Sequence, residues 1–427
     1  MNLDQLLAAI KESDLHEHIS DFWDIAQREC PPEAYATRYL TLDAIQQAWS
    51  DGQFFTQDAP DELIEMAQRI RSTPELLALA AYSHWRQFEG PPEQPPKRQW
   101  PELRNCLGCE AELFYLIVAL GFIPSVQAYH QSLNLPSAIT QGTGLQVARY
   151  CDNYRRGRGR LGIYIRQFGW LGNYMPPNLY FRIGRFEYWK RTFKQPVCVF
   201  RRRSDGATLA LSQGDLVFTP AGDRCLTGAP PRPGSWISSY TESETAFTGN
   251  PLSPSGRACR EPVQLPRDAW TCVLKPGDPV LDMHIPAGGG MSPEVATASL
   301  QEAYSFFNTF FPEPRVQAVA SASWMFSNQL EACLPPTANL VQLLRKLYLL
   351  PHASSPNAGL WFVFLQDGGF NPDTAPRDTS LQRAILDTLA QTQEPWHVNG
   401  MFILCDDLDS PNSETYRHNW PPQGLGL

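Results

Sequence analysis

Asp282 and His284 stand two apart in the run Val280-Leu281-Asp282-Met283-His284-Ile285-Pro286, where apolar and polar residues alternate. A period of two marks a strand, and residues two apart on a strand share a face. Asp282 and His284 therefore point one way, with Leu281, Met283 and Ile285 opposite. An imidazole near a carboxylate at a strand end can work as a general base, so His284 is the candidate base and Asp282 its polar partner. A His-X-Pro strand end is also an ordinary terminator, and the pair alone does not establish catalysis.

The residues after this pair add a second kind of chemistry. Pro286 has no N–H to continue a ladder, and Ala287-Gly288-Gly289-Gly290 comes next. Ser292-Pro293-Glu294 then reads as a helix start: a serine cap, a proline at the first position, and an acid at the positive end of the dipole. Gly288, Gly289, Gly290 and Ser292 offer backbone N–H groups with little in the way, and such a terminus can hold a pyrophosphate.

The elements needed to position this site have ample chain. With 427 residues, 43% of them hydrophobic, the sequence can build two or three domains with cores. A net charge of −9 argues against a general nucleic-acid or anionic-membrane binder, which relies on a summed positive field. The arginines are nevertheless clustered, at Arg155, Arg156, Arg158 and Arg160, at Arg182 and Arg185, and from Arg201 to Arg203, so a small polyanion remains a candidate ligand. Ten cysteines without repeated spacing, and one isolated Cys106-Leu107-Gly108-Cys109, point to reduced thiols and no metal site. The first residues lack the features of a secretory signal, and the apolar run Leu113 to Ile123 is about half of a membrane span. A cytoplasmic protein with no membrane span is the expectation.

Apolar residues recur at three- and four-residue spacing through the first 90 positions and again from Glu102 to Tyr154, separated by the proline-rich connector 90–96. After Gly162 the texture changes to short strands, including Ile163 to Phe168 and Leu179 to Phe186, with turns between them. From Pro279 the order is strand, helix and strand, through a helix from Leu340 to Leu349 and strands at Trp361 to Leu365 and Met401 to Leu404. The expected architecture is α+β: an all-helical domain over 1–156, then a mixed β-sheet domain flanked by helices over 157–427.

Five short segments carry a likeness to known proteins. They are Phe181-Arg182-Ile183-Gly184-Arg185-Phe186-Glu187, the Asp282–Pro286 strand end, Ser299-Leu300-Gln301-Glu302-Ala303 with Phe306-Phe307, Ser323-Trp324-Met325, and Ser380-Leu381-Gln382-Arg383-Ala384. In this order, from about residue 100 onward, the chain resembles the bacterial N-acyltransferases that join a helical N-terminal domain to a GNAT-like C-terminal domain. The resemblance implies acyl-CoA as donor co-substrate, a small-molecule amine as acceptor, and direct transfer between them. It also implies a Gln or Arg, two free positions, Gly, one free position, then Gly or Ala at the phosphate loop. Ile285-Pro286-Ala287-Gly288-Gly289-Gly290 keeps both glycines and has Ile at the leading position.

By the same resemblance Tyr348, expected on the helix after Trp324, is the candidate acid. Ser323 would hydrogen-bond the acyl or pantetheine arm, with Trp324 packed beside it. Arg182 and Arg185 would meet the 3′-phosphate of CoA, with Arg158 and Arg160 as the alternative pair. Two non-enzymatic readings stand beside this one, an acyl-CoA sensor and a module that binds a protein such as an acyl carrier protein. A hydrolase is disfavoured because G-x-S-x-G, H-E-x-x-H and P-loop motifs are missing from the sequence.

Overall fold

The computed structural model describes residues 1–91, 99–286, 288, 290–366, 369–410 and 414–426. Most of the expected connector at 90–96, and Gly289 of the glycine loop, lie outside the described residues. The chain divides into two compact units, Met1–Arg182 and Ile183–Leu427. Residues 157–182 thus belong with the helices, later than the boundary expected at 156. One reason is that the stretch read as a strand from Ile163 to Phe168 is a helix, Ile165–Trp170, capped by a 3-10 turn, Leu171–Tyr174.

The first unit is helical, from Leu3–Ile10 through Gln146–Arg158. At its centre lies Ala111–Leu120, whose ten residues are all buried, as expected of a helix apolar on every side. The stretch Arg104–Ser132 is long and apolar enough to cross a membrane by length and composition, yet 78% of its apolar window is buried inside the protein.

The second unit is built on a mixed sheet. Five of its six strands lie wholly in this unit: β1 (Phe186–Thr192), β2 (Pro279–His284), β3 (Ala318–Ser323), β4 (Tyr348–Pro351) and β5 (Asn399–Leu404), ordered β1-β2-β3-β5-β4; the sixth, Tyr180–Ile183, precedes β1 across the unit boundary. Only β2 and β3 run parallel, and the helix α1 (Pro293–Phe310) makes the crossover that a parallel pair requires. The remaining pairs are antiparallel. One stripe of α1, which includes Ala296, Leu300, Ala303 and Phe307, is buried. Between β1 and β2 the chain forms smaller antiparallel sheets around a core of Cys198, Phe200, Leu209, Leu211, Phe247 and Trp270.

Further elements depart from the sequence expectation: the strand expected from Leu179 to Phe186 ends at Ile183, and a turn at Gly184 and Arg185 leads into β1. The helix expected from Leu340 to Leu349 ends at Lys346, and Tyr348 begins β4, because Tyr348 to Pro351 pair with β5 and are buried on both faces. The strand expected from Trp361 to Leu365 is a helical turn, Trp361–Phe364, ended by Leu365 in the left-handed region. All ten cysteines are free.

Candidate active site

The register of β1 against β2 decides which side chains meet. His284 stands opposite Glu187, and Asp282 opposite Trp189, so all four share one face of the sheet. His284 Nδ1 lies 2.9 Å from Glu187 Oε2. The Glu187 side chain is 0% exposed and that of His284 is 43% exposed. A buried carboxylate accepting from Nδ1–H fixes the ring and its tautomer, which leaves Nε2 as the nitrogen that can take a proton. The polar partner of His284 is therefore Glu187 and not Asp282. Directly opposed residues on neighbouring strands sit closer than residues two apart on one strand, so the cross-strand carboxylate wins. Glu187 was already visible in the family-like segment, but its partner depends on register, which no local pattern states.

Asp282 lies one pair further along the same face, with Arg191 Nη1 at 3.9 Å. Enclosure by the strands pushes its carboxyl up, against Arg191, His284 and Lys194. Some 43% of the side chain still meets water, and solvent there screens that push.

The glycine loop is braced from beneath. Arg185, itself buried, donates from Nη1 to Pro286 O at 2.9 Å and from Nε to Gly290 O at 3.2 Å, so one guanidinium ties both ends of the loop. Ser299 of α1 locks the same region: its hydroxyl donates to Ile183 O at 2.7 Å and accepts from the N–H of Phe186 at 3.2 Å. Gly184, at φ +57 in the turn before β1, lets the chain pass close to Ser299. The cap of α1 is as expected, with Ser292 Oγ accepting from Val295 N–H. A Cβ added at Gly288 or Gly290 would meet no atom within 4 Å beyond its chain neighbours, and Gly288 has φ +84. The described part of the loop is thus open on one side and carries a positive charge on the other, which fits a pyrophosphate.

Between β2 and β3 the sheet opens. Their parallel ladder covers only Val280–Asp282 against Ala318–Ala320. Each strand continues beyond that point on its outer side, β2 with β1 as far as His284 and β3 with β5 as far as Ser323. The carboxyl ends of the two parallel strands therefore diverge into a wedge. His284 stands on one edge and Ser323 on the other, where ligands of such sheets bind. Ser323 Oγ accepts from Met325 N–H and so caps the turn Trp324–Phe326. Trp324 is anchored, its carbonyl accepting from Trp396 Nε1 and its indole lying against Gly359, where any side chain would collide.

Tyr348 is not at this wedge. Three strand spacings separate β2 from β4, roughly 14 Å. The hydroxyl is buried, donates to Leu252 O and accepts from Ala210 N–H, while the ring stacks on Phe402. Burial pushes its pKa far up. It is a structural tyrosine joining two sheets, and the candidate acid is withdrawn. Arg182 closes the first unit, where its backbone N–H donates to Thr143 Oγ1. Arg185 serves the loop itself instead of a distant 3′-phosphate. Among the described residues no cluster of three or more metal-ligating side chains occurs.

Residues 180–402 match the family of GNAT-like C-terminal domains, and residues 51–175 match the N-acyltransferase N-terminal domain. The chain belongs to this N-acyltransferase family. The acyltransferase has no match among curated proteins. Its fold is shared by solved structures. One is an acyltransferase in complex with decanoyl-CoA and teicoplanin, at TM-score 0.59 and 20% identity, with 95% of this chain and 99% of that chain covered. Another is an acyltransferase in complex with CoA and 10C-teicoplanin, at TM-score 0.60 and 21% identity over the same shares. Both domains of the acyltransferase and its mixed, helix-flanked sheet accord with the architecture read from the sequence.

Proposed function

We propose that the chain is an acyl-CoA-dependent N-acyltransferase that moves an acyl group from a CoA thioester to the nitrogen of a small-molecule amine. The observation that carries this reading is the wedge between β2 and β3, with an oriented imidazole on one edge and an open glycine loop and capped helix after it. Family membership, and the CoA and decanoyl-CoA in the complexes of the similar folds, support the donor class.

Acyl-CoA, when bound, supplies the activated acyl group. The chain supplies the rest. Gly288, Gly290 and the N-terminus of α1 would hold the phosphates over Arg185. The strand edges left unpaired beyond Asp282 and Ala320 offer backbone groups to an extended amide-bearing arm, in the manner of strand addition. Ser323, which among the described residues only accepts, keeps its hydroxyl proton for a ligand. An amine is protonated at neutral pH and must lose a proton before it can attack. His284 takes that proton at Nε2 while Glu187 holds the ring and offsets the charge that develops. We also propose a cytoplasmic setting, where CoA thioesters are made and held.

Calorimetric titration with CoA and decanoyl-CoA tests the donor site through Gly290→Val. This position is the better probe than Gly288, because a Cβ there meets no atom within 4 Å beyond its chain neighbours and needs no left-handed backbone. Affinity for CoA should fall at least about tenfold in a folded variant, the size of one lost set of phosphate contacts. Unchanged affinity would remove the loop from the binding site. Tight binding without thiol release on any amine would instead favour a sensor, and discharge only of an acyl-carrier-protein thioester would replace the donor.

A further inference from the structure

At the same end of the main sheet, a cavity of about 470 Å³ opens beyond β3 and β5. Asn328, five residues past the end of β3, lines it, and its N–H bonds Asn399 Oδ1 at the start of β5. The loop around Asp223 and Arg224 forms the facing wall. Five charged residues line this space: Arg224, Arg232, Arg257, Asp223 and Glu394.

The two carboxylates are already engaged. Arg232 grips Glu394 through two parallel contacts of 2.7 and 2.6 Å. Asp223 accepts from Asn328 Nδ2 at 2.9 Å and faces Arg257 Nε at 3.9 Å. Arg224 lies over the Phe218 ring, 5.5 Å from its centroid, and is the one of the three arginines without an anion among the described residues. Among the described residues no carboxylate lies within 4 Å of it, and its Nε is enclosed without a hydrogen-bond partner. A half-buried guanidinium stays charged, and leaving it without an anion is costly, while a planar carboxylate satisfies its fork geometry.

We propose that this cavity binds a carboxylate carried by the acceptor amine, with Arg224 as the anchoring cation. The assignment to the acceptor rests on the acyl-transfer reading; the carboxylate site itself does not. One positive charge in excess among the five residues matches a monoanionic carboxylate better than a dianionic phosphoryl group. The cavity would then select acceptors that present a carboxylate at a distance from the reacting nitrogen, with the wedge and His284 serving the nitrogen end.

Trifluoroacetate, followed by its fluorine resonance, probes the site without any activity assay. The wild-type protein should bind it, Arg224→Met should weaken binding at least about tenfold, and Arg224→Lys should recover part of the loss. Decanoyl-CoA titrated into the same samples should bind all three alike, which shows that the variants are folded. Equal trifluoroacetate binding by wild type and Arg224→Met, or none by wild type, overturns the proposal. Inorganic phosphate binding more tightly than trifluoroacetate overturns the choice of carboxylate. Failure of decanoyl-CoA to bind the wild type would instead sink the acyl-transfer reading while leaving the trifluoroacetate result standing. With paired acceptors, a long-chain ω-amino acid should outcompete its carboxamide in the wild type and lose that advantage in Arg224→Met.

Discussion

His130 in the helical unit and His284 in the sheet unit are the same side chain put to opposite uses. His130 is fully buried, its Nδ1 beside Thr140 Oγ1 at 3.1 Å and its ring against Phe181. Burial pulls its pKa down to about 4. His284 sits at a strand end, 43% exposed, with a wholly buried carboxylate on Nδ1. A helical core uses imidazole as a ring. A sheet edge beside an open wedge can use it as a base, because one nitrogen is held and the ring is not sealed off. The difference teaches that function here depends on where a polar group is left reachable, not on residue type.

The sharpest way to break this comparison is to remove the base. His284→Gln should lower turnover by about 10²–10⁴-fold, the usual worth of general base catalysis, with little change in CoA affinity or stability. Glu187→Gln keeps the shape but not the charge, so turnover should fall by a smaller factor that His284→Gln already contains. The two losses in the double variant should therefore not multiply. Turnover per folded molecule near wild type in His284→Gln would return His284 to a structural role equal to that of His130.

The second test acts on the other histidine and on stability alone. His130 has an ordinary value of 6.5 unfolded and about 4 folded. A depressed folded pKa gives stability that is complete above pH 6.5 and lost as pH falls from 6.5 toward 4. The gap between those two values corresponds to roughly 3 kcal/mol. Amide protection in the helix Phe122–Ser132, corrected for intrinsic exchange, should fall over that window. In His130→Phe, which keeps a ring and removes the titration, the slope should flatten; what remains belongs to the other histidines lowered by burial, His84 in this unit and His352 and His397 in the second. An unchanged slope would mean that His130 is not the group that charges.

What was legible in the sequence was local. The alternation into His284, the proline stop, the Ser292 cap and the apolar stripe of α1 are each set by neighbours within a few residues, and β2 and α1 occupy the expected places. The segment from Leu340 to Leu350 shows the limit. Its apolar residues suit a helix and a doubly buried strand equally, and pairing with β5 decides for a strand from Tyr348. Glu187 became the partner of His284 through register, the wedge exists because one ladder stops early, and Arg185 reaches the loop from the turn before β1. None of these is encoded in spacing along the chain. Ile163 to Phe168 failed for a related reason: alternation there is short, and packing within the helical unit made it a helix.

Tyr348 gives the smallest effect and separates a structural hydroxyl from a catalytic one. It bridges Leu252 O and the N–H of Ala210, both buried, at a position level with Asp282 but three strands away. Tyr348→Phe keeps the stack on Phe402 and removes only the hydroxyl, leaving two buried backbone groups without that partner. The cost should be about 1–3 kcal/mol in urea unfolding. Turnover per folded molecule should stay within about threefold of wild type, less than 1 kcal/mol in the barrier. A general acid would show the reverse pattern, a large loss of turnover with a shifted alkaline limb of the pH profile and little change in stability. Observing that pattern would require Tyr348 to reach the wedge in a conformation far from this one, and would restore it as the candidate acid.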